Sequence, residues 1–134
     1  DIGFLKQYDN NEEIGAEYAD EILPSYNFNK SQIEKVKSLI IATKFAHTPK
    51  NLLEEIMKDA DLDYLGRDDF KDISGKLMRE FLENNKVKSK KEFLEKQVHF
   101  LKSHRFITET AKNSRIAKKK ENIKIAEELY NSET

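Results

Sequence analysis

The chain has 134 residues, and its 24 Lys and Arg nearly balance its 25 Asp and Glu, which leaves a net charge of −1. This balance provides no general attraction to nucleic acid polymers or to anionic membranes. The chain has no cysteine, which excludes a disulfide framework and a thiolate site and fits a reducing cytoplasm. Because we find neither a signal peptide nor an apolar run long enough to cross a bilayer, we predict a cytoplasmic protein without a membrane segment.

The length suits one domain, 1–134, with a core of its own. Only four Gly and two Pro interrupt a sequence rich in Glu, Lys, Leu and Ile, so we predict an all-α bundle of about six helices. The chain opens without methionine in what reads as the middle of an element. We therefore expect it to be a fragment of a longer protein.

Apolar periodicity and cap signals predict the helices in chain order. The first runs over about 12–23 and ends at Pro24. Ser31-Gln32-Ile33-Glu34 is a capping box that starts the second helix, which continues to about Lys44. Further helices are predicted at 52–65 after Asn51, at about 68–83, and from Ser89 to the break near Phe106. The last one is long and polar, within 107–134, and its run Lys118-Lys119-Lys120 is expected to be solvated.

The stretch from Met57 to Phe70 holds five aspartates, yet apolar side chains interrupt it at helical spacing. This spacing predicts a helix with an apolar stripe on its inner side, which ends at Gly66 as a C′ residue. Asp59 and Asp61 point in directions that differ by roughly 200° on such a helix. Only one of the two can face an ion, and the other serves as a cap, supports the site or is solvated.

The segment from Asp59 to Gly66 resembles the last signature of the HD superfamily of metal-dependent phosphohydrolases. In that family a His, a later His-Asp doublet and a still later Asp bind one or two divalent metals, and Ala60-Asp61-Leu62 matches the last position. Asp1-Ile2-Gly3-Phe4-Leu5 resembles the segment directly after the His of the doublet, and 39–44 resembles the helix before the last Asp. The resemblance covers about the first 70 residues. The first His and the His of the doublet are absent from this chain.

The resemblance implies an HD-like fold and a phosphohydrolase that acts on a nucleotide or another phosphate ester. Its metal would be Mn, Fe, Mg or Zn in the intact parent, where it would activate a water molecule. Without the histidines we expect no tightly bound metal and little activity on this chain alone. The resemblance assigns roles to six residues and leaves the catalytic residues open: metal ligands Asp1 and Asp61, phosphate contacts Lys44 and Arg67, and reserve ligands Asp59 and Glu12.

The alternative is a catalytically inert HD-like helical module for protein interaction or dimerisation, whose acidic run provides only caps and salt bridges. Without the resemblance, Lys44 simply favours a helix C-terminus and Glu12 a helix N-terminus.

His47 is expected at the surface. Asp61 is expected to project inward near Asp1. The predicted core consists of Leu39, Ile40, Ile56, Leu65, Phe70, Leu77 and Leu101.

Overall fold

The computed structural model describes residues 1–133, in which six α-helices and three 3-10 helices occur without a strand. The α-helices are α1 (Asn11–Ile22), α2 (Lys30–Ala42), α3 (Leu52–Asp61), α4 (Phe70–Glu83), α5 (Lys90–Ser103) and α6 (Glu109–Ser132). The 3-10 helices are Ile2–Leu5, Leu23–Tyr26 and Asp63–Gly66. The prediction of an all-α fold with about six helices is confirmed. The last predicted helix is α6, and its final position, Thr134, lies outside the described residues.

The chain divides into two compact units: the first comprises residues 1–61, and the second starts at Leu62. The prediction of a single domain stays a prediction. No helix within residues 1–133 combines the length and the apolar character that crossing a bilayer requires.

In the first unit α1 packs against α2 and against the 3-10 helix Ile2–Leu5, while α3 packs on α2. Four apolar side chains of this unit are buried, and only one of them is larger than alanine: Ala16, Ala19, Ile33 and Ala42. The larger side chains of Leu39 and Ile40, which were predicted to be buried, are only half-buried. This unit therefore buries little apolar surface, since burying an alanine removes only a small apolar area from water.

Side-chain caps define where two helices of this unit begin. Asn29 caps α2, because its Oδ1 accepts from the Gln32 amide at 3.0 Å while Gln32 Oε1 accepts from the Asn29 amide at 2.8 Å. This capping box replaces the one predicted at Ser31, two residues later. Asn51 caps α3 as predicted, with the Glu54 amide donating to its Oδ1 at 3.1 Å.

In the second unit, a cluster of Leu65, Phe70, Leu101, Phe106 and Ala126 forms the main core. Leu65, Phe70 and Leu101 are 1%, 1% and 0% exposed, which confirms three of the predicted core positions. Leu77 is only partly buried, against a smaller cluster of Val87, Phe93 and Leu94. The predicted core is therefore most accurate in this unit.

The 3-10 helix Asp63–Gly66 replaces the final turn of the helix predicted over 52–65. Asn122 of α6 is 1% exposed, and its Nδ2 donates to the carbonyls of Leu65 at 3.0 Å and Arg67 at 2.9 Å. Arg115 of α6 also donates to Asp63. The prediction was wrong here because side chains fifty or more residues away bind this segment, and local periodicity does not contain that information.

Lys119 is buried, with 7% exposure, although the lysine run was predicted to be solvated. Its Nζ donates to the His104 carbonyl at 2.6 Å, just past the end of α5, and lies 5.7 Å from the centre of the Phe106 ring. Burial, followed by the charge of Arg105, lowers the pKa of Lys119 to about 8. The side chain thus serves as a cap for α5, which is why it turns inward.

Candidate functional site

The polar side of α3 faces its own unit. Lys58 Nζ donates to the carbonyls of Ala42 at 3.3 Å, Lys44 at 2.8 Å and Phe45 at 3.4 Å. These carbonyls belong to the end of α2 and the turn after it, where a helix leaves acceptors without intrahelical partners. Lys58 therefore caps α2 from α3 and favours an orientation in which the polar side of α3 turns inward.

A second polar contact fixes α3 in the same orientation. Glu54 is 3% exposed, and its Oε2 lies 2.9 Å from His47 Nε2 and accepts from the Lys50 amide at 2.9 Å. The hydrogen bond with His47, followed by that with the Lys50 amide, lowers the pKa of the Glu54 carboxyl. The prediction of a surface histidine is wrong, since the His47 side chain is only 16% exposed. The loop after α2 brings the two groups together across seven residues.

The apolar side of α3 consequently faces outward. Leu52, Leu53 and Ile56 are 63%, 49% and 48% exposed, and Ala60 is exposed one turn further on. The prediction that Ile56 belongs to the core is therefore wrong. We call Leu52, Leu53, Ile56 and Ala60 the α3 stripe, because their spacing places them along one side of the helix.

A groove of about 520 Å³ runs between α2 and α3 beside this stripe. Leu39 lines it from α2, and Leu52 and Leu53 line it from α3. Glu34 and Lys35 bring charges of both signs to its α2 side. The groove therefore has an apolar lining, with one acidic and one basic residue on its α2 side.

Exposed apolar surface is concentrated in the first unit. Among the described residues, nine of the ten large hydrophobic side chains that are exposed lie in that unit, and Ile116 alone belongs to the second. Scattered exposed apolar side chains are normal on a protein surface, whereas a contiguous set marks an interaction site. The α3 stripe is such a set, because its residues are adjacent on one helix.

The structure reverses the expected burial of the two aspartates in α3. Asp59 is 5% exposed, while Asp61 is exposed. Nearby protein atoms still desolvate the Asp61 carboxyl, and this desolvation, followed by the charge of Glu12, raises its pKa. Lys58 and the amino terminus at Asp1 partly offset the rise. Asp61, Glu12 and Asp1 thus share one electrostatic neighbourhood, but Asp61 does not project inward as predicted.

These carboxylates do not complete a metal centre by themselves. Within residues 1–133, no three His, Asp or Glu side chains lie close enough together to hold a metal ion. The two histidines that the HD resemblance implies as ligands are absent from this chain, so its residues do not complete that ligand set. The assignment of Asp1 and Asp61 as ligands, with Asp59 and Glu12 in reserve, stays a prediction.

The two predicted phosphate contacts already have carboxylate partners. Lys44 forms an ion pair with Glu13, whose hydrogen bond raises the pKa of the Lys44 ammonium. Arg67 pairs with Asp69, and its Nη1 lies 3.7 Å from Asp63 Oδ2. Lys44 belongs to the first unit and Arg67 to the second. Their role toward a phosphate stays a prediction.

Replacing the exposed carboxylate of α3 is expected to stabilise the protein. The folded pKa of Asp61 is raised above its unfolded value, so the unfolding free energy falls as pH rises through the interval between the two values. We expect Asp61→Asn to unfold at a higher urea concentration than the wild type at neutral pH. Its unfolding free energy should not show the decrease that Asp61 causes as the pH rises. Urea titrations from about pH 3 to about pH 7 cover the interval for a carboxyl group.

The matched control is Asp68→Asn, because Lys118 lowers the pKa of Asp68 and the sign is opposite. A folded pKa below the unfolded value adds stability above that value, so this control is expected to be slightly destabilised. If Asp61→Asn instead unfolds more easily than the wild type, its charge has a favourable partner and the interpretation of its surroundings is wrong.

Comparison of the chain with protein-family models, with curated proteins and with solved structures gives no match. The HD resemblance therefore depends on the segment Asp59 to Gly66 and the two upstream stretches alone. The geometry of the first unit provides the independent basis for a function.

Proposed function

We propose that the chain is a helical protein-interaction module whose α3 stripe receives an apolar helix of its partner. One observation carries the proposal: α3 buries Glu54 and directs Lys58 toward α2 while it exposes Leu52, Leu53 and Ile56. A surface helix that serves only its own fold has the opposite orientation. The inert module is thus the better supported of the two classes that the sequence predicts.

The energetics support binding at this stripe. Fully burying a Leu or Ile side chain contributes ~1.5–3 kcal/mol, so covering three half-exposed ones contributes on the order of a few kcal/mol before the costs of association. The groove beside Leu39, Leu52 and Leu53 gives a partner helix a concave surface on which its own apolar side can pack. The charges of both signs at Glu34 and Lys35 favour a partner without a strong net charge.

The metal-dependent phosphohydrolase is the second candidate, and one observation favours it. The pKa of the Asp61 carboxyl is raised by desolvation and then by Glu12, and perturbed carboxyl groups are enriched at functional sites. Titration calorimetry with Mn²⁺ and hydrolysis of p-nitrophenyl phosphate separate the candidates on a longer chain that contains the two histidines, since this chain alone lacks them. The interaction module predicts no stoichiometric Mn²⁺ binding and no turnover. Metal-dependent turnover that Asp61→Ala abolishes would favour the phosphohydrolase.

The experiment for the interaction module is the double variant Leu53→Ser with Ile56→Ser. Because both side chains are already half-exposed, we expect its thermal midpoint to stay within a few degrees of the wild type. We expect it to lose most of the fluorescence of anilinonaphthalene sulfonate, a dye that binds exposed apolar surface, measured at low protein concentration.

The matched control is Ile33→Ser in the same unit, because Ile33 is 7% exposed and belongs to the core. This control is expected to lower the thermal midpoint strongly. If the double variant unfolds as readily as the control, the α3 stripe belongs to the core and the proposed function is wrong.

A further inference from the structure

We propose that the turn after α5 is a binding site for a phosphate monoester, in which Arg105 contacts the phosphate and Lys119 provides a second positive charge beside it. Arg105 follows the end of α5, and Lys119 reaches the same turn from α6. Both belong to the second unit, so the site is independent of the α3 stripe. Two cations meet at this turn without a carboxylate partner among the described residues, and a dianion would balance them.

Arg105 and Lys119 converge on one backbone oxygen. Lys119 Nζ donates to the His104 carbonyl at 2.6 Å, and Arg105 Nη1 donates to the same carbonyl at 2.8 Å. Because both nitrogens contact a single oxygen atom, the two positive charges lie close together. Like charges repel at such a separation, so the arrangement is unfavourable unless a negative charge offsets it.

No carboxylate in the described part of the chain offsets these two charges. Neither cation forms an ion pair within residues 1–133, although Arg67 and Arg115 each pair with an aspartate. The causes that lower the pKa of Lys119 to about 8 agree with this: burial comes first and the charge of Arg105 second, and no acidic group opposes them. The negative charge must therefore come from a ligand.

The end of α5 does not require two full positive charges. The carbonyls at a helix C-terminus amount to roughly half a negative charge. Lys102 also lies in the last turn of α5, but Glu127 already balances its ammonium at 2.6 Å. Capping therefore accounts for only part of the charge of Lys119 and Arg105, and it leaves an excess of roughly 1.5 positive charges at the turn.

The guanidinium of Arg105 is oriented in advance for an oxyanion. Its Nη1 donates to the carbonyls of Lys102 and His104, which fixes the plane of the group. Its Nε and Nη2 have no acceptor within the described chain, and the residue is exposed to solvent. That edge presents two parallel N–H groups, the geometry that binds two oxygens of a phosphate or a carboxylate.

Lys119 decides between these two oxyanions. It is 7% exposed, so its charge acts through protein rather than through water, and salt screens it less. An anion on the free edge of Arg105 therefore experiences both positive charges. A phosphate monoester carries about −1.5 to −2 at neutral pH, whereas a carboxylate carries a single negative charge. The charge of the site thus favours the phosphate.

Titration of the full chain with inorganic phosphate at about pH 7, followed by nuclear magnetic resonance of the lysine side chains, tests the site. Most of Lys119 is charged at this pH, since its pKa is about 8. We expect saturation with a dissociation constant of roughly 0.1–10 mM, because the contacts are few. Bound phosphate should raise the pKa of Lys119 to about 9, which corresponds to roughly 10-fold tighter binding by the charged lysine.

Two substitutions separate the direct contact from the second charge. Arg105→Gln should abolish phosphate binding and lower the thermal midpoint by only a few degrees, because the residue is exposed. Lys119→Met keeps the buried stem but loses the charge, so we expect roughly 10-fold weaker binding. The matched control is Arg79→Gln, at an exposed arginine of α4, which should bind phosphate like the wild type.

Two other anions separate a site from general screening. Acetate should bind more weakly than phosphate by several-fold, because it carries one charge. Sodium chloride at equal ionic strength should leave the pKa of Lys119 near 8. An equal response to chloride and phosphate would overturn the site, as would wild-type affinity in Arg105→Gln or a titration that does not saturate below ~100 mM.

Two monoesters identify the source of the phosphate. Adenosine monophosphate represents a nucleotide, and N-acetyl phosphoserine amide represents a phosphorylated side chain. The source is the one that binds more tightly than inorganic phosphate, and equal affinity for all three would show that the site recognises the phosphate group alone. Failure of both monoesters to compete with inorganic phosphate would contradict a monoester site.

Discussion

Leu65→Ala is expected to lower the unfolding free energy by ~2–5 kcal/mol, because it leaves a cavity in the main core of the second unit. Leu65 is 1% exposed and packs in one cluster with Phe70 and Leu101. Urea denaturation of the full chain, followed by circular dichroism, measures the loss. A value below about 1 kcal/mol would mean that this cluster is not the core.

The matched control for this experiment is Ile56→Ala, which truncates an apolar side chain of similar size at a site that is 48% exposed. The expected change is within about 0.5 kcal/mol, since an exposed truncation leaves no cavity and alanine favours helix. Equal losses for Leu65→Ala and Ile56→Ala would place both side chains in a core and contradict the outward orientation of α3.

Gly66→Ala is expected to destabilise the second unit by ~1–3 kcal/mol through overpacking. A Cβ at Gly66 would lie 2.6 Å from both the Cβ and the carbonyl oxygen of Arg115. The close approach of the 3-10 helix Asp63–Gly66 to α6 leaves no room for a methyl group, so the backbone must shift. The midpoint of thermal unfolding measures the effect.

The control for this substitution is Gly75→Ala, because nothing lies within 4 Å of the Cβ that it adds to the interior of α4. Replacing glycine by alanine in a helix stabilises it by roughly 0.5–1 kcal/mol. The two alanines should therefore shift the midpoint in opposite directions. Stabilisation by both would show that α6 does not approach the segment so closely.

Local signals in the sequence predict where the helices form, but not which side of each helix faces the rest of the fold. Asn51 and Ser89 cap α3 and α5 at the predicted positions. Periodicity reveals that α3 has an apolar and a polar side, yet it does not reveal which one faces the fold. Glu54 and Lys58 are four residues apart and share one side of the helix, so the polar residues are spaced as regularly as the apolar ones.

The contacts that orient α3 join it to a loop and to another helix, so the periodicity of α3 alone does not show them. His47 binds Glu54 across the loop after α2, and Lys58 donates to the carbonyls of Ala42 and Lys44 at the end of α2 and just after it. Helix geometry correctly separates Asp59 from Asp61, but the family resemblance favoured the latter as the inward residue, and Asp59 is the buried one. The metal and phosphate roles predicted from that resemblance remain predictions.

Thiol labelling tests the outward orientation of α3 most directly, because the chain contains no cysteine of its own. We expect Ile56→Cys, at a site that is 48% exposed, to react with a maleimide far faster than Glu54→Cys, at a site that is 3% exposed. The reaction is run on dilute protein so that copies do not shield each other, and urea-unfolded samples provide the reference rates. Faster labelling at position 54 than at position 56 would mean that α3 buries its apolar side, and it would contradict the account.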